Sequence, residues 1–149
     1  MAQENEQAQG QKGGGLPKSI CVIDDDESIC LYLKALMELE GFNVTVCNNG
    51  EDGVYVVKQK KVDLIILDWM MPVLSGFEVL KLLQTDEHKG IPIIVITARV
   101  TDDSTSDMIR QEMNVADFVA KPIKHDYLVN RVHQILNTIP PKEKVKTTG

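Results

Sequence analysis

The sequence predicts an α/β protein built on a doubly wound, five-stranded parallel sheet with the strand order 2-1-3-4-5. Strand-like and helical segments alternate five times along the chain. The segments DLIILD at 63–68 and PIIVIT at 92–97 are continuous apolar runs, which are typical of strands covered on both faces. Because crossovers between parallel strands are right-handed, few topologies remain for such a pattern.

The first two strands differ in how they are expected to be covered. SICVI at 19–23 is short, apolar and β-branched, whereas NVTVC at 43–47 alternates, as in a half-covered edge strand. The helix predicted between them, at 27–40, ends before Gly41, a residue suited to a C-cap. Its apolar stripe consists of Ile29, Leu33, Leu36 and Leu39 or Glu40. A second helix is predicted at 51–60.

The third strand, at 63–68, is followed by the helix with the clearest start signal. Ser75 is a suitable N-cap, and Glu78 stands three residues later, as in a capping box. The apolar face of this helix consists of Phe77, Leu80 and Leu83 or Gln84.

The last two units complete the alternation. A polar, weakly patterned helix is predicted at 103–113 after the strand at 92–97, and Asn114 is suited to end it in the left-handed conformation. DFVA at 117–120 is a short strand, and the final helix covers 124–137. That helix offers Tyr127, Leu128, Val132 and Ile135 to the core.

The 149 residues are enough for one domain. Residues 1–17 are rich in Gln, Glu and Gly and show no periodicity, which predicts a disordered tail. We expect the ordered domain at 18–138 and a flexible tail or linker at 139–149.

Composition disfavours several classes of function. The net charge of −6 disfavours direct binding of nucleic acid, and no apolar run approaches the length of a membrane helix. Without a secretory signal, the expected location is the cytoplasm. The cysteines form no CxxC pair and are expected to be reduced and structural, and the histidines show no metal-ligand spacing. These residues are Cys21, Cys30 and Cys47, and His88, His125 and His133.

Chemically distinctive residues stand at the ends of four predicted strands. They are Asp24-Asp25-Asp26, Asp68, Thr97 and Lys121. Each has an ordinary structural explanation: a helix cap for the Asp run, an Asx turn, a β-forming residue and a solvated charge. The predicted topology nevertheless brings all of them to the C-terminal edge of the sheet, around the crevice between strands 1 and 3.

The chemistry expected at this edge follows from charge. Clustered carboxylates repel one another and stay ionised only beside a cation. Oxygen ligands suit Mg²⁺, and Lys121 adds a second positive charge. Such a site can neutralise a transferring phosphoryl group, and an Asp carboxylate can itself be the nucleophile.

The segments VIDDDES at 22–28, LIILDWMMPVLSG at 64–76, VITA at 95–98 and FVAKPI at 118–123 resemble the receiver domain of two-component response regulators. The resemblance covers about residues 18–138 and implies a flavodoxin-like (βα)5 fold. It further implies a phosphoacceptor signalling switch rather than a dedicated enzyme. The expected phosphoryl donor is a histidine kinase or histidine phosphotransfer protein, and the expected cofactor is Mg²⁺.

The resemblance also implies roles for single residues. Asp68 would be the phosphoacceptor, and Lys121 would contact the phosphoryl group. Mg²⁺ would be held by Asp24, Asp25, Asp68 and the backbone carbonyl of Met70. Thr97 and Phe118 match the family's switch pair, and the Lys121–Pro122 bond would be cis.

In the implied mechanism, phosphorylation draws the Thr97 hydroxyl inward and the Phe118 ring rotates into the vacated space. The surface of the fourth helix, fifth strand and fifth helix then changes and controls an output protein or domain. A monomer or a weak phosphorylation-dependent dimer is expected, without membrane binding. Phe118 lacks the hydroxyl of the tyrosine that many members carry. The bulky Met70 and Arg99 are expected to slow hydrolysis of the acyl phosphate.

Three other functions fit parts of the pattern. A pseudo-receiver would keep the fold without the phosphotransfer chemistry. An aspartyl-phosphate phosphatase needs a second Asp at the position of Met70. A nucleotide-binding enzyme of similar architecture would need a GxxxxGK[ST] or GxGxxG loop, and the sequence contains neither.

Overall fold

A computed structural model describes residues 15–85, 87–98, 103–112 and 114–141. The five strands are β1 (Ser19–Ile23), β2 (Asn43–Cys47), β3 (Leu64–Asp68), β4 (Ile93–Thr97) and β5 (Val115–Ala120). The five helices are α1 (Glu27–Leu39), α2 (Gly50–Gln59), α3 (Gly76–Leu82), α4 (Asp103–Arg110) and α5 (His125–Leu136). The predicted tails fall largely at 1–14 and 142–149, outside the described residues, as does Arg99.

The strands form one sheet in the order β2-β1-β3-β4-β5, with every neighbouring pair parallel. This confirms the predicted fold class. The central strands β3 and β4 are buried at every residue, as their continuous apolar sequences predict. β2 at one edge is only partly buried, in agreement with its alternating sequence.

Helices cover both faces of the sheet, which separates the core into two clusters. One cluster includes Ile23, Leu67 and Val95, together with Val79 and Leu80 of α3. The other combines the opposite faces of the strands with α1 and α5, and it includes Ile20, Ile66, Ile96, Leu33 and Leu128. No helix within the described residues has the length and apolarity needed to cross a membrane.

The structure resolves one open alternative about the helix faces and corrects two predictions. Of the two alternatives at the end of α1, Leu39 is 77% exposed, whereas Glu40 is buried. Phe77 and Tyr127 were expected in the core but are 43% and 49% exposed. Each lies at the margin of its helix face, where an aromatic ring can pack sideways and still reach solvent.

The last strand begins earlier than the sequence predicts, at Val115 rather than Asp117. Ile93 pairs with Val115, but the next residue, Ile94, pairs with Asp117, so a bulge leaves Ala116 unpaired. α4 ends at Arg110, before the predicted end at 113, so Asn114 does not end it as predicted. Its buried side chain instead joins Gln84 of the preceding loop to the carbonyl of Ile91.

Candidate functional site

The ends of β1 and β3 bring three carboxylates together at the C-terminal edge of the sheet. Ile23 pairs with Leu67, so the next residues along the two strands, Asp24 and Asp68, emerge side by side. Carboxylate oxygens of Asp24, Asp25 and Asp68 all lie within 4.8 Å of one another. Asp24 and Asp68 are buried, and Asp25 is exposed at the mouth of the site. The structure thus assembles the three predicted acidic residues.

Lys121, the residue after β5, extends its ammonium group into the acidic cluster. Its Nζ lies 3.1 Å from Oδ2 of Asp24 and 3.8 Å from Oδ1 of Asp68. The Lys121 amide also donates to the carbonyl oxygen of Thr97 at 2.7 Å, which ties the residue to the end of β4. The Lys121–Pro122 bond is cis, as the resemblance implies.

The single positive charge of Lys121 does not neutralise the negative charge of the three carboxylates. Burial and the adjacent negative charge of Asp24 together raise the pKa of Asp68 to about 7, although Lys121 acts in the opposite direction. Oδ2 of Asp24 is fully buried, and the Lys121 ammonium 3.1 Å away makes no well-directed hydrogen bond to it. A hard divalent cation with oxygen ligands would satisfy this oxygen and relieve the repulsion, so these residues fit Mg²⁺.

The Asp run both caps α1 and contributes two carboxylates to the acidic cluster. Asp26 is the N-cap of α1, and its side chain accepts from the amides of Ser28 and Ile29. Asp24 lies two residues earlier, and its Oδ1 accepts from the Asp26 amide at 2.9 Å. The helix cap therefore holds the backbone in the shape that directs Asp24 into the site.

Thr97 and Phe118 lie on neighbouring strands with their side chains on the same face of the sheet. Phe118 pairs with Val95, and Thr97 pairs with Ala120 two residues further along. Thr97 is fully buried, whereas Phe118 is half-buried and packs against the cluster that contains Val95. Thr97 and Phe118, the predicted switch pair, therefore lie near each other on one face of the sheet.

The loop after Asp68 covers one side of the site. The Met70 amide approaches Oδ1 of Asp68 at 3.4 Å, and the Met70 side chain is 54% exposed. Further along, the Leu74 amide donates to the carbonyl of Pro72 at 2.8 Å, which closes a γ-turn around Val73. Val73 has a φ of 67° and is 90% exposed, so a β-branched residue occupies the strained form of this turn.

Gly76 belongs to the site, although its sequence position carried no prediction. It is the first residue of α3, and its amide donates to the carbonyl of Trp69 at 3.1 Å. A Cβ at this position would lie 2.5 Å from the Asp68 carbonyl oxygen and 2.7 Å from Cα of Trp69. Glycine is therefore required for α3 to begin so close to the backbone of Asp68. The sequence feature that could have pointed to Gly76 is its position directly after Ser75, the predicted N-cap.

A second polar network joins β5 to α5, and no local pattern in the sequence predicts it. The carboxylate of Asp117 accepts from the Phe118 amide, the Tyr127 hydroxyl and Nε of Arg131. Burial raises the pKa of Asp117, but these hydrogen bonds outweigh it and hold the pKa below its ordinary value. The backbone beside Phe118 is thereby anchored to the last helix.

The three cysteines have structural positions in the core. Cys21, Cys30 and Cys47 are free and buried, as expected. The Cys30 thiol donates to the Asp24 carbonyl at 3.2 Å and so supports the backbone behind the acidic cluster. Within the described part of the chain, Asp24, Asp25 and Asp68 form the one cluster of His, Cys, Asp or Glu groups close enough to share a metal ion.

Comparison with known proteins agrees with this geometry. The family model for the response regulator receiver domain matches residues 20–133. The chain is 36% identical over 129 residues to the phosphate regulon transcriptional regulatory protein PhoB of Rhizobium meliloti, covering 85% of this chain and 55% of PhoB. It is 30% identical over 118 residues to the protein PilH of Pseudomonas aeruginosa, covering 78% of this chain and 96% of PilH.

A solved structure supports the same fold. The receiver domain of a sensor histidine kinase from Pseudomonas aeruginosa, with a magnesium ion coordinated in its active site cleft, matches with a TM-score of 0.72 at 21% identity. The match covers 81% of this chain and 98% of that domain. The chain spans about half the length of several curated relatives, PhoB among them. By its sequence match and its architecture, the chain belongs to the receiver domain family of response regulators, the proteins of two-component signalling.

Proposed function

We propose that the chain is a phosphoacceptor switch in which Asp68 receives a phosphoryl group in an Mg²⁺-dependent reaction. The observation that carries the proposal is the buried cluster of Asp24, Asp25 and Asp68 with Lys121 Nζ within 4 Å of two of its members. A cluster of like charges serves no purpose in holding the fold together, because its members repel one another. It has a purpose if a cation and then a phosphoryl group occupy it.

Asp68 is the proposed nucleophile. One of its carboxylate oxygens attacks the phosphorus of a phosphohistidine, the P–N bond breaks, and the imidazole leaves with the bonding electron pair. The product is an acyl phosphate on Asp68. Because burial raises the pKa of Asp68 to about 7, a bound cation is needed to hold this carboxylate ionised and reactive.

The other site residues position and neutralise charge. Mg²⁺ held by Asp24, Asp25, Asp68 and the Met70 carbonyl would offset the negative charge that develops on the phosphoryl oxygens. Lys121, which already contacts two carboxylates, can pair with a phosphoryl oxygen. Thr97 ends the adjacent strand and supplies a hydroxyl donor. Transfer of this kind depends on positioning and electrostatics more than on acid–base chemistry.

The signal would leave the site through Thr97 and Phe118. Movement of the Thr97 hydroxyl towards a phosphoryl group on Asp68 opens space that the Phe118 ring can enter. Such a shift requires a ligand that favours one of the two states, and phosphorylation provides it. The surface formed by α4, β5 and α5 then differs between the states and is available to a partner.

The proposed partners follow from the family. A histidine kinase or histidine phosphotransfer protein supplies the phosphoryl group, and an output protein or domain reads the changed surface. We expect no direct contact with nucleic acid or membrane by this domain, a location in the cytoplasm, and a monomer or weak phosphorylation-dependent dimer. The domain catalyses only its own modification and is not a dedicated enzyme.

The test is modification by a small-molecule donor. Acetyl phosphate with Mg²⁺ should add one phosphoryl group to the wild-type protein, read by intact-protein mass spectrometry, and Asp68→Asn should abolish the addition. Asp52→Asn is the matched control, because Asp52 is an exposed residue in the first turn of α2 and should leave phosphorylation unchanged.

Two results would contradict the proposal. Equal phosphorylation of the wild type and Asp68→Asn would place the modification elsewhere. A wild-type protein that neither accepts phosphate nor binds beryllofluoride with Mg²⁺ would favour the pseudo-receiver, in which the fold serves only as an interaction module.

A further inference from the structure

Arg110, the last residue of α4, lies over the face of the Phe118 ring. The carbon at the centre of its guanidinium group is 5.6 Å from the ring centroid. This separation is within the range of a cation–π attraction. Arg110 is exposed and Phe118 is half-buried, so the contact closes the outer side of the ring where β5 meets α4.

The backbone of Phe118 is held separately from its ring. Oδ1 of Asp117 accepts from the Phe118 amide at 2.7 Å, and Oδ2 accepts from Nε of Arg131 on α5 at 2.9 Å. The Phe118 ring itself has no hydroxyl through which a neighbour could hold it. Its π face is the group that a polar side chain can attract, and Arg110 is placed on that face.

We infer that Arg110 is a positioning residue that holds the Phe118 ring at the surface and thereby sets the resting bias of the switch. The inference rests on the proposed function, because the inward position of the ring gains its meaning from phosphorylation of Asp68. When the ring moves inward along the strand face towards Thr97, the guanidinium group loses its π partner. The charge of Arg110 then becomes available on the surface of α4, β5 and α5.

The expected effect follows from the strength of the contact. A cation–π pair at an exposed site shifts a two-state equilibrium by about two- to five-fold. Loss of Arg110 should favour the inward state by this factor, and a ligand that prefers that state should bind correspondingly more tightly.

Beryllofluoride with Mg²⁺ is the probe of the phosphorylated state, and fluorescence of Trp69, the single tryptophan, is the readout. Trp69 directly follows Asp68, so occupancy of the site should change its emission. Arg110→Gln removes the charge and keeps a good helix former, and it should lower the apparent Kd for beryllofluoride about two- to five-fold. Arg110→Lys keeps a cation and should stay close to the wild type.

Two further measurements separate positioning from a general charge effect. The Kd for Mg²⁺ alone should not change in Arg110→Gln, because that ion binds at the acidic cluster and not at the ring. In a Phe118→Leu background, which has no π face, Arg110→Gln should have no effect on beryllofluoride binding.

The outcomes distinguish this inference from the proposed function. If the wild type binds no beryllofluoride, the proposed function fails and the role of Arg110 fails with it. If the wild type binds beryllofluoride but Arg110→Gln does not change the Kd, only the role of Arg110 is overturned. The same holds if Arg110→Gln changes the Kd equally in the wild-type and Phe118→Leu backgrounds.

Discussion

Two buried polar clusters lie at opposite edges of the same sheet and differ in how completely they are satisfied. At the C-terminal edge, Asp24 and Asp68 are buried beside each other with one shared ammonium group. At the N-terminal edge, Glu40 after α1 meets His133 of α5, with Oε1 and Nε2 2.8 Å apart. Nδ1 of His133 lies 2.7 Å from Oγ1 of Thr138, so both ring nitrogens have partners.

The difference separates a polar pair that stabilises the fold from a cluster whose charges favour binding of a cation. Glu40 and His133 are complementary, and Phe42 packs against the imidazole ring at 5.0 Å between centroids. The pair closes the contact between α1 and α5 and leaves little to gain from any ligand. The acidic cluster is frustrated by repulsion and gains from a cation, as functional sites do when local stability is sacrificed to binding.

The largest expected effect comes from breaking the satisfied pair. His133→Leu removes the partner of a buried carboxylate, so the free energy of unfolding at pH 7 should fall by about 3 kcal/mol. Urea denaturation measures this change. The double variant Glu40→Leu with His133→Leu should recover much of the loss, because no buried charge remains. A double variant as unstable as the single one would show that lost packing, and not the unpaired carboxylate, is responsible.

The opposite sign is expected at the acidic cluster. Asp68→Asn should stabilise the metal-free protein by roughly 2 kcal/mol at pH 8, because the amide removes one of two repelling buried charges. The pKa of Asp68 is raised from 3.8 to about 7 on folding, so between these values the folded state binds the proton more tightly than the unfolded state. The stability that this bound proton adds to the folded state is fully present below pH 3.8 and is lost as the pH rises to about 7.

The advantage of Asp68→Asn over the wild type should therefore grow across this pH window and level off above it. Thermal melting of both proteins at a series of pH values, without divalent cations, gives the difference directly. Millimolar Mg²⁺ should stabilise the wild type at pH 8 and reduce the difference. A difference that does not depend on pH would contradict the raised pKa.

A smaller stabilisation is expected in the loop next to the acidic cluster. Val73→Gly should raise the free energy of unfolding by about 1 kcal/mol, because glycine adopts the positive φ of this γ-turn without strain. Val73→Ala is the matched control, since it keeps the Cβ and should give little relief. Urea midpoints compare the three proteins. Equal midpoints for glycine and valine would show that the turn stores no strain.

An effect of similar size, on a rate and not on stability, is expected at the rim of the site. Met70 is half-exposed beside Asp68, where its side chain can obstruct water that approaches an acyl phosphate. Met70→Asn should shorten the half-life of the phosphorylated protein several-fold, an effect of about 1 kcal/mol on the barrier to hydrolysis. Loss of phosphate after removal of acetyl phosphate gives the rate. An unchanged half-life would remove Met70 from the control of hydrolysis.

Local patterns in the chain were sufficient for the architecture and for most of the site. The bounds of β1 and β2 match the predicted segments, because short β-branched runs end where polar turn residues begin. The capping box of Ser75 and Glu78 forms as predicted. Asp24, Asp68 and Lys121 could be grouped from their positions in the sequence, since the carboxyl ends of parallel strands meet at one edge.

Contacts between segments that are distant in the sequence could not be predicted from local patterns. Glu40 and His133 are 93 positions apart, and the pattern around Glu40 left open whether Leu39 or Glu40 faces the core. The bulge at Ala116 arises from how β5 fits against β4, so the earlier start of β5 could not be read from its composition. The contact between Arg110 and Phe118 likewise depends on where α4 ends over the sheet.

The sequence by itself determined the order of strands and helices, the residues at each strand end and, through the resemblance of four short motifs, the family. It could do so because backbone propensity and apolar periodicity act over a few neighbouring residues. Tertiary structure alone decided the state of those residues: that Asp24 and Asp68 are buried against each other, that the pKa of Asp68 rises, and that Phe118 rests under Arg110. Burial and electrostatic coupling depend on groups far apart in the chain, so they exist only once the sheet and its helices have packed.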